Sequence, residues 1–302
     1  ENSANAGSGN EGVTNTARIG VNGMANVGGL VGCAISTNAG GTRIEKCSVT
    51  AVNSEKTAIS SVGHRQSNFS YTGGLIGGNG ESNQKGGYIS NSHATVNVFS
   101  KLHVAGGFAG FCGTDSNITA CYATGRVYTQ NAMAGGFVGR LADHSCIIED
   151  CYSTGDVGQG GNANASGGFA GSIQLSYSSV TIRNCYSTGQ VSGPSAIRAK
   201  GFIGNNWSGS TVPANCGVFN SYFLQDVGIN EGLDGLFDTS DISTDEGAML
   251  EVTPLTISQF QSVDTFSDWD SQIWYLAEGS YPALYVDIIV RPKLGQGKEY
   301  DG

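Results

Sequence analysis

Apolar residues in this chain come in runs too short for helices, and the runs recur in pairs. The first member of each pair is an apolar dipeptide framed by small residues. It reads Gly28-Gly29-Leu30-Val31-Gly32, Gly73-Gly74-Leu75-Ile76-Gly77, Gly106-Gly107-Phe108-Ala109-Gly110, Gly135-Gly136-Phe137-Val138-Gly139, Gly167-Gly168-Phe169-Ala170-Gly171 and Lys200-Gly201-Phe202-Ile203-Gly204. The second member is strand-like and headed by Cys or Ser: Ile44 to Cys47, Ile89 to Ser92, Ile118 to Cys121, Ile148 to Cys151, Ile182 to Cys185 and Val218 to Ser221. Counted from Gly29, successive first motifs are 45, 33, 29, 32 and 33 residues apart. Self-similarity at periods near thirty residues predicts a solenoid or another repeat fold. No helical apolar period longer than two turns occurs between Gly28 and Tyr222, so the expected class is all-β: a β-solenoid of about six repeats.

Alternation assigns faces within the second motif, because side chains on a strand point to opposite sides with a period of two. In Cys121-Tyr122-Ala123-Thr124-Gly125-Arg126-Val127, one face carries Cys, Ala, Gly and Val and the other carries Tyr, Thr and Arg. The small face is expected inside, with Cys121, Cys151 and Cys185 in one column about 4.8 Å apart. Ile118, Ile148 and Ile182 have the wrong parity for a straight strand through the Cys, which predicts a bend or bulge between them. The tyrosines Tyr122, Tyr152, Tyr186 and Tyr222 fall on the outer face. They are the candidate binding residues, as a stripe for sugars or protein, unless long loops fold over them or they pack mutually as neighbours in the sheet.

The first motif supplies another inward column: Leu30, Leu75, Phe108, Phe137, Phe169 and Phe202. A single repeat cannot offset its own ordering entropy, so this core exists only between stacked rungs. The 45-residue interval contains an insertion within Ser54 to Tyr71, where Lys56, His64, Arg65 and Gln66 read as a solvated loop. A stack of rungs also ends in an exposed apolar cross-section that needs a cap. Trp269, Trp274, Tyr275, Tyr281, Leu284 and Tyr285 could supply it, and Thr256 to Gln261 reads as a short helix after Pro254. The expected organisation is a repeat array over 1–222 with its first copy truncated, a C-terminal cap over 223–286, and a linker or the start of a further module over 287–302. The chain reads as a piece of a longer polypeptide.

Composition agrees with a repeat array, since 302 residues with 47 Gly, 5 Pro and 13% charged residues are too glycine-rich and charge-poor for an ordinary mixed domain. A net charge of −10 argues against nucleic acid and anionic lipid surfaces, which need Lys/Arg clusters. No apolar run is long enough to span a bilayer. Eight cysteines suggest an exported, oxidising setting. They allow two readings. One pairs a loop Cys with a ladder Cys: Cys33 with Cys47, Cys112 with Cys121, Cys146 with Cys151, and Cys185 with Cys216. The other is a reduced inward column, favoured because strands stack farther apart than the Cβ separation of about 3.8 Å that a disulfide prefers.

Candidate chemistry is thin. No nucleophile elbow or His-Glu-x-x-His is present, histidines are scattered at 64, 93, 103 and 144, and no Cys-x-x-Cys suggests zinc. The nearest carboxylate group, Glu149, Asp150 and Asp156, reads as turn residues rather than a glycosidase pair. Asp234, Asp238, Asp241, Asp245 and Glu246 offer oxygens for calcium without the Asp-x-Asp-x-Asp-Gly spacing of a known loop. No catalytic residue, metal or cofactor is therefore assigned.

The two motifs together resemble the GLUG repeat, whose signature is Gly-Gly-Leu/Phe-x-Gly with a partner strand ending in Tyr-x-Thr-Gly-x-Val. The resemblance covers about Gly28 to Tyr222, with departures at Ser48, His93 and Lys200-Gly201. The tail Phe266-Ser267-Asp268-Trp269-Asp270, Ile273-Trp274, Glu278-Gly279 and Tyr281-Pro282-Ala283-Leu284 resembles the segment that often closes such arrays. This implies a bacterial extracellular or cell-surface protein of the kind that includes adhesins, filamentous-haemagglutinin-like proteins and immunoglobulin-A-cleaving metallopeptidases. The expected function is a noncatalytic, adhesin-like spacer or ligand-presenting stalk whose partner is a host or matrix protein or a glycan. The alternatives are an exosite or stalk of a secreted metallopeptidase and a carbohydrate-active β-helix enzyme.

Overall fold

The structure is a computed structural model that describes residues 21–23, 26–36, 42–51, 58–61, 70–80, 84–101, 104–142, 145–160, 165–173, 180–192, 199–206, 217–225 and 249–286. It is a β-solenoid. One rung runs through the strands Val104–Gly106, Ala109–Cys112, Asn117–Thr119, Tyr122–Ala123 and Val127–Thr129, and the next begins at Met133–Gly135. Equivalent strands of successive rungs pair in parallel and in register, as in Phe111↔Arg140, Ile118↔Ile148, Tyr122↔Tyr152 and Val127↔Val157. Two of the resulting sheets are six strands deep.

The first motif makes a tight reversal that lays one six-stranded sheet against the other. A side chain at Gly136 would strike the Gly168 carbonyl and come within 3.0 Å of the Ser153 hydroxyl, so only hydrogen fits. That contact also explains the small residue two places after the ladder Cys. Ser153 Oγ donates to the Gly168 carbonyl at 2.7 Å, and Ser187 Oγ does the same to Gly201 at 2.7 Å. The apolar residue at the tip turns inward: Phe108, Phe137, Phe169 and Phe202 are at most 1% exposed and stack at 4.8, 5.0 and 4.9 Å. Offset or parallel aromatic pairs of this kind add about 0.5–1.5 kcal/mol each beyond their burial.

The bend predicted between the Ile and the Cys is present in all six copies. The residue just before each ladder Cys or Ser has a left-handed backbone: Lys46, Asn91, Ala120, Asp150, Asn184 and Asn220, with φ from 49 to 53°. The bend turns both Ile148 and Cys151 inward, each fully buried. It also explains why the position is Cys or Ser. Cys121, Cys151 and Cys185 each direct their thiol to the carbonyl two residues earlier, at 3.2, 3.1 and 3.1 Å, and Ser92 and Ser221 direct their hydroxyls there at 2.7 and 2.9 Å. Both side chains are small donors, and each gives a second hydrogen bond to a carbonyl that already accepts a backbone N–H from the preceding rung, as Glu149 does from Ala120 at 3.2 Å.

The seven described cysteines carry free thiols, so the reduced column holds for them; Cys216 lies outside the described residues. Cys112 approaches Cys146 rather than Cys121, and Cys151 sits between Cys121 and Cys185. Part of the insertion is not a loop. Ala58–Ser61 is a strand in register with Asn97–Ser100, with its Ile59 opposite Val98 and both buried. Lys56, His64, Arg65 and Gln66 lie outside the described residues.

The last repeat strand, Gly217–Leu224, continues past Tyr222 and is itself covered by Met249–Leu255, which pairs with it in parallel. The helix Ile257–Phe260 follows. It is closed by a reciprocal capping box in which Thr256 N–H donates to Gln259 Oε1 at 2.9 Å and Gln259 N–H to Thr256 Oγ1 at 3.4 Å.

Candidate binding surfaces

The tyrosine column forms as the register requires, with ring centroids 5.0 Å apart for Tyr122 and Tyr152 and 4.9 Å for Tyr152 and Tyr186. His93 extends it at 4.7 Å from Tyr122. These rings point away from the inner core, but they are not a surface stripe. Tyr122, Tyr152 and Tyr186 are 3%, 4% and 2% exposed, and Tyr222 is partly buried. The physical reason is that Met249–Leu255 covers the last repeat strand and the chain after Leu255 folds back along the side of the solenoid. Phe260, Trp269 and Trp274 pack on Tyr186 at 5.6, 6.3 and 6.0 Å, while Phe266 meets Tyr222 edge-on at 5.3 Å.

Two polar contacts register that cover. Tyr186 donates its hydroxyl to the Pro282 carbonyl at 2.7 Å, and Trp274 Nε1 donates to Asp150 Oδ1 at 2.9 Å. Phenol and indole need such partners when buried. Trp269 and Leu284 are buried within the cover, whereas Tyr275 and Tyr285 are 44% and 41% exposed and pair with each other at 6.2 Å.

The carboxylates do not converge on one another. Asp150 is 7% exposed and accepts from Trp274 and from Asn184 Nδ2, and Asp156 faces Arg126 at 3.5 Å while accepting from the Gln190 N–H. Among the described residues no three His, Cys, Asp or Glu side chains gather as a metal set, and no helix is long and apolar enough to cross a membrane. The acidic run Asp234, Asp238, Asp241, Asp245 and Glu246 lies outside the described residues.

A second aromatic pair escaped the motif reading. Phe99 and Tyr128 stack with centroids 5.5 Å apart and planes 2° from parallel, on the outer face of the sheet that holds Asn97–Ser100 and Val127–Thr129. Tyr128 is 37% exposed. The signal was available, because each follows an inward valine, Val98 or Val127, and so must face out. The equivalent position one rung further on is Gly158, and beyond it Ser192.

Residues 130–158 match the family described as the GLUG motif. Among solved structures, a provisionally assigned immunoglobulin A1 protease from Bacteroides ovatus has the same fold. It is 20% identical, with a TM-score of 0.51, over 80% of this chain and 69% of that one. No curated protein sequence matches the chain.

Proposed function

We propose that this GLUG-bearing solenoid is a noncatalytic module of a secreted or surface-attached bacterial protein, working as an adhesive spacer that presents ligand-binding groups along its side. The observation that carries the reading is where the repetition is spent. The residues that recur, the tip phenylalanines, ladder cysteines and tyrosines, are buried in stacking contacts, and the carboxylates nearest a catalytic arrangement are tied to Trp274, Asn184 and Arg126. Repetition therefore serves assembly, and the variable outer positions are left for recognition.

The test coats microspheres with the protein and measures retention under flow on collagen, fibronectin and mucin, alongside incubation with immunoglobulin A1 and neutral polysaccharides. Retention on at least one surface without product formation is expected. Cleavage of either substrate class overturns the noncatalytic reading, and absence of retention on all three surfaces overturns the adhesive one.

A second reading, an exosite or stalk within a secreted peptidase, draws support from the fold shared with the Bacteroides ovatus protein. In that case the chain increases cleavage by a peptidase domain linked to it and is inert alone.

A further inference from the structure

We propose that Cys112 and Cys146 form a cross-linking site, closing to a disulfide that staples two successive rungs when the chain folds in an oxidising setting. The secreted reading supplies that setting, and the cross-link depends on nothing in the adhesive role.

The corner between two sheets brings the pair together. Cys112 ends Ala109–Cys112 in one six-stranded sheet, and Cys146 begins Cys146–Glu149 in the adjoining sheet, one rung on. Backbone register fixes both places. Cys112 lies between Asn79 and Leu141, and the Ile147 N–H donates to the Ser116 carbonyl at 2.8 Å, which sets Cys146 opposite Ser116. The preceding rung shows how side chains at these two places meet. There Ser116, the counterpart of Cys146, gives its hydroxyl to the carbonyl of Asn79, the counterpart of Cys112, at 2.6 Å. Asn79 Nδ2 also donates to the Gly87 carbonyl at 3.1 Å and its Oδ1 accepts from the Gly87 N–H at 2.7 Å, across the same corner. Groups at the end of one strand and the start of the next therefore converge, within a rung and between rungs. Where both are cysteine the groups that meet are thiols: Cys112 and Cys146 touch, and both are fully buried.

Convergence separates this pair from the ladder. Cys121, Cys151 and Cys185 stack in register, so their Cα–Cβ bonds run parallel at the strand spacing of about 4.8 Å, wider than the Cβ separation of about 3.8 Å in a disulfide. Each ladder thiol is also drawn to a carbonyl. The corner has no comparable need for sulfur, because the matching diagonals are Ala34 with Gly87, Asn79 with Ser116 and Leu141 with Val180. Among the described corners, cysteine occupies both places of a diagonal once.

The reaction is thiol–disulfide exchange with a small-molecule disulfide such as oxidised glutathione. One cysteine, as thiolate, attacks that disulfide, forms a mixed disulfide and releases one glutathione thiol. The second thiolate attacks the protein sulfur of the mixed disulfide and expels the other glutathione. The protein loses two protons and two electrons, and the glutathione disulfide is reduced to two thiols. Contact with Cys146 and then burial push the Cys112 thiol up, so the pair reacts while the corner is still open during folding. Once packed, the bond is shielded from reductant.

The test unfolds and reduces the whole chain, refolds it in a glutathione redox buffer, and maps its peptides by mass spectrometry without reduction. Joined peptides carrying Cys112 and Cys146 are expected. The oxidised protein should melt roughly 5 °C above the reduced one, and this difference should shrink in Cys112→Ala and in Cys146→Ala. The proposal is overturned if wild type yields the two peptides unlinked, if Cys112 is joined to Cys121 or Cys146 to Cys151, or if the melting difference survives in either folded variant. The mapping needs no variant to fold. Retention of microspheres under flow is measured equally well on reduced protein, so failure of the cross-link and failure of the adhesive reading are separable.

Discussion

Trp274 reaches across 124 residues of sequence to give its indole proton to Asp150, at 2.9 Å in a buried setting. Asp150 is also the left-handed residue at one of the six bends and accepts from Asn184 on the next rung. One carboxylate thus joins the bend, the stack and the lateral cover. Trp274→Phe keeps most of the ring packing and removes the donor, leaving a buried carboxylate short of a partner. We expect a loss of about 1–3 kcal/mol. Hydrogen exchange should show faster opening of 249–286 while the strands around Phe137 stay protected; unchanged exchange in both regions would count against a lateral cover held through Asp150.

The facing of the rungs predicts opposite outcomes for an inward and an outward residue. Phe137→Asp places a charge in a fully buried stack between Phe108 and Phe169 and should unfold several rungs together. Arg126→Ser loses an exposed ion pair to Asp156 and should change stability by less than about 0.5 kcal/mol. Thermal melts of the two variants decide it, and equal shifts would refute the assignment.

Cys and Ser should be interchangeable at the ladder head, since both serve the same carbonyl. Cys151→Ser is expected to cost little, and Cys151→Val, similar in bulk but without a donor, to cost more by the net worth of one hydrogen bond, about 0.5–1.5 kcal/mol, because the Glu149 carbonyl keeps its backbone partner Ala120. Denaturant titration of the pair checks the order, which a purely hydrophobic role for Cys151 would reverse.

Ala120 is the one bend residue with neither a long nor a polar side chain, and it holds φ at 52°. Its neighbours in the column, Asp150, Asn184 and Asn220, are linked by side-chain hydrogen bonds at 3.1 and 3.3 Å. Asn tolerates this backbone better than Ala, so Ala120→Asn should stabilise by about 1 kcal/mol, read as a raised melting temperature. A lower melting temperature would mean that the site has no room for the amide.

Thiol chemistry follows burial. Burial pushes the Cys47 thiol up, the contact with Cys146 and then burial push up Cys112, and burial with its two thiol neighbours pushes up Cys151. The folded chain therefore holds these protons more tightly than the unfolded chain. Stability from them is fully present below the unfolded thiol pKa of about 8.5 and is lost as pH rises towards the folded values. Among the described cysteines, alkylation of native protein at pH 8 should label Cys33 and Cys47 first, with the five buried thiols reacting only as fast as the chain opens. Early labelling of Cys151 would contradict its place in the core.

Much of the rung was legible because a solenoid makes each residue's partner its own equivalent one repeat away. The inward Phe column, the bend before the Cys and the alternation through Val127 all follow from local pattern and copy number. The strand at Ala58–Ser61 was hidden because its repeat is stretched by the insertion, which separates Ile59 from the motif that would have flagged it. The Phe99–Tyr128 pair lies one residue past Val98 and Val127, outside the part of the motif that recurs.

The fate of Tyr122, Tyr152, Tyr186 and Tyr222 could not be read the same way. Alternation assigns a side chain to a face of the strand; it does not say what lies against that face. Stacking in register, the inward phenylalanines and the glycine-lined reversals are properties of the amino-acid sequence itself, because period and parity dictate them. Only the tertiary structure decided that the tyrosines are covered, since the covering tryptophans sit in a non-repeating segment whose docking depends on shape and on two long-range hydrogen bonds. It likewise decided that Tyr128, stacked on Phe99 and lying against Gly158, keeps 37% of its surface exposed.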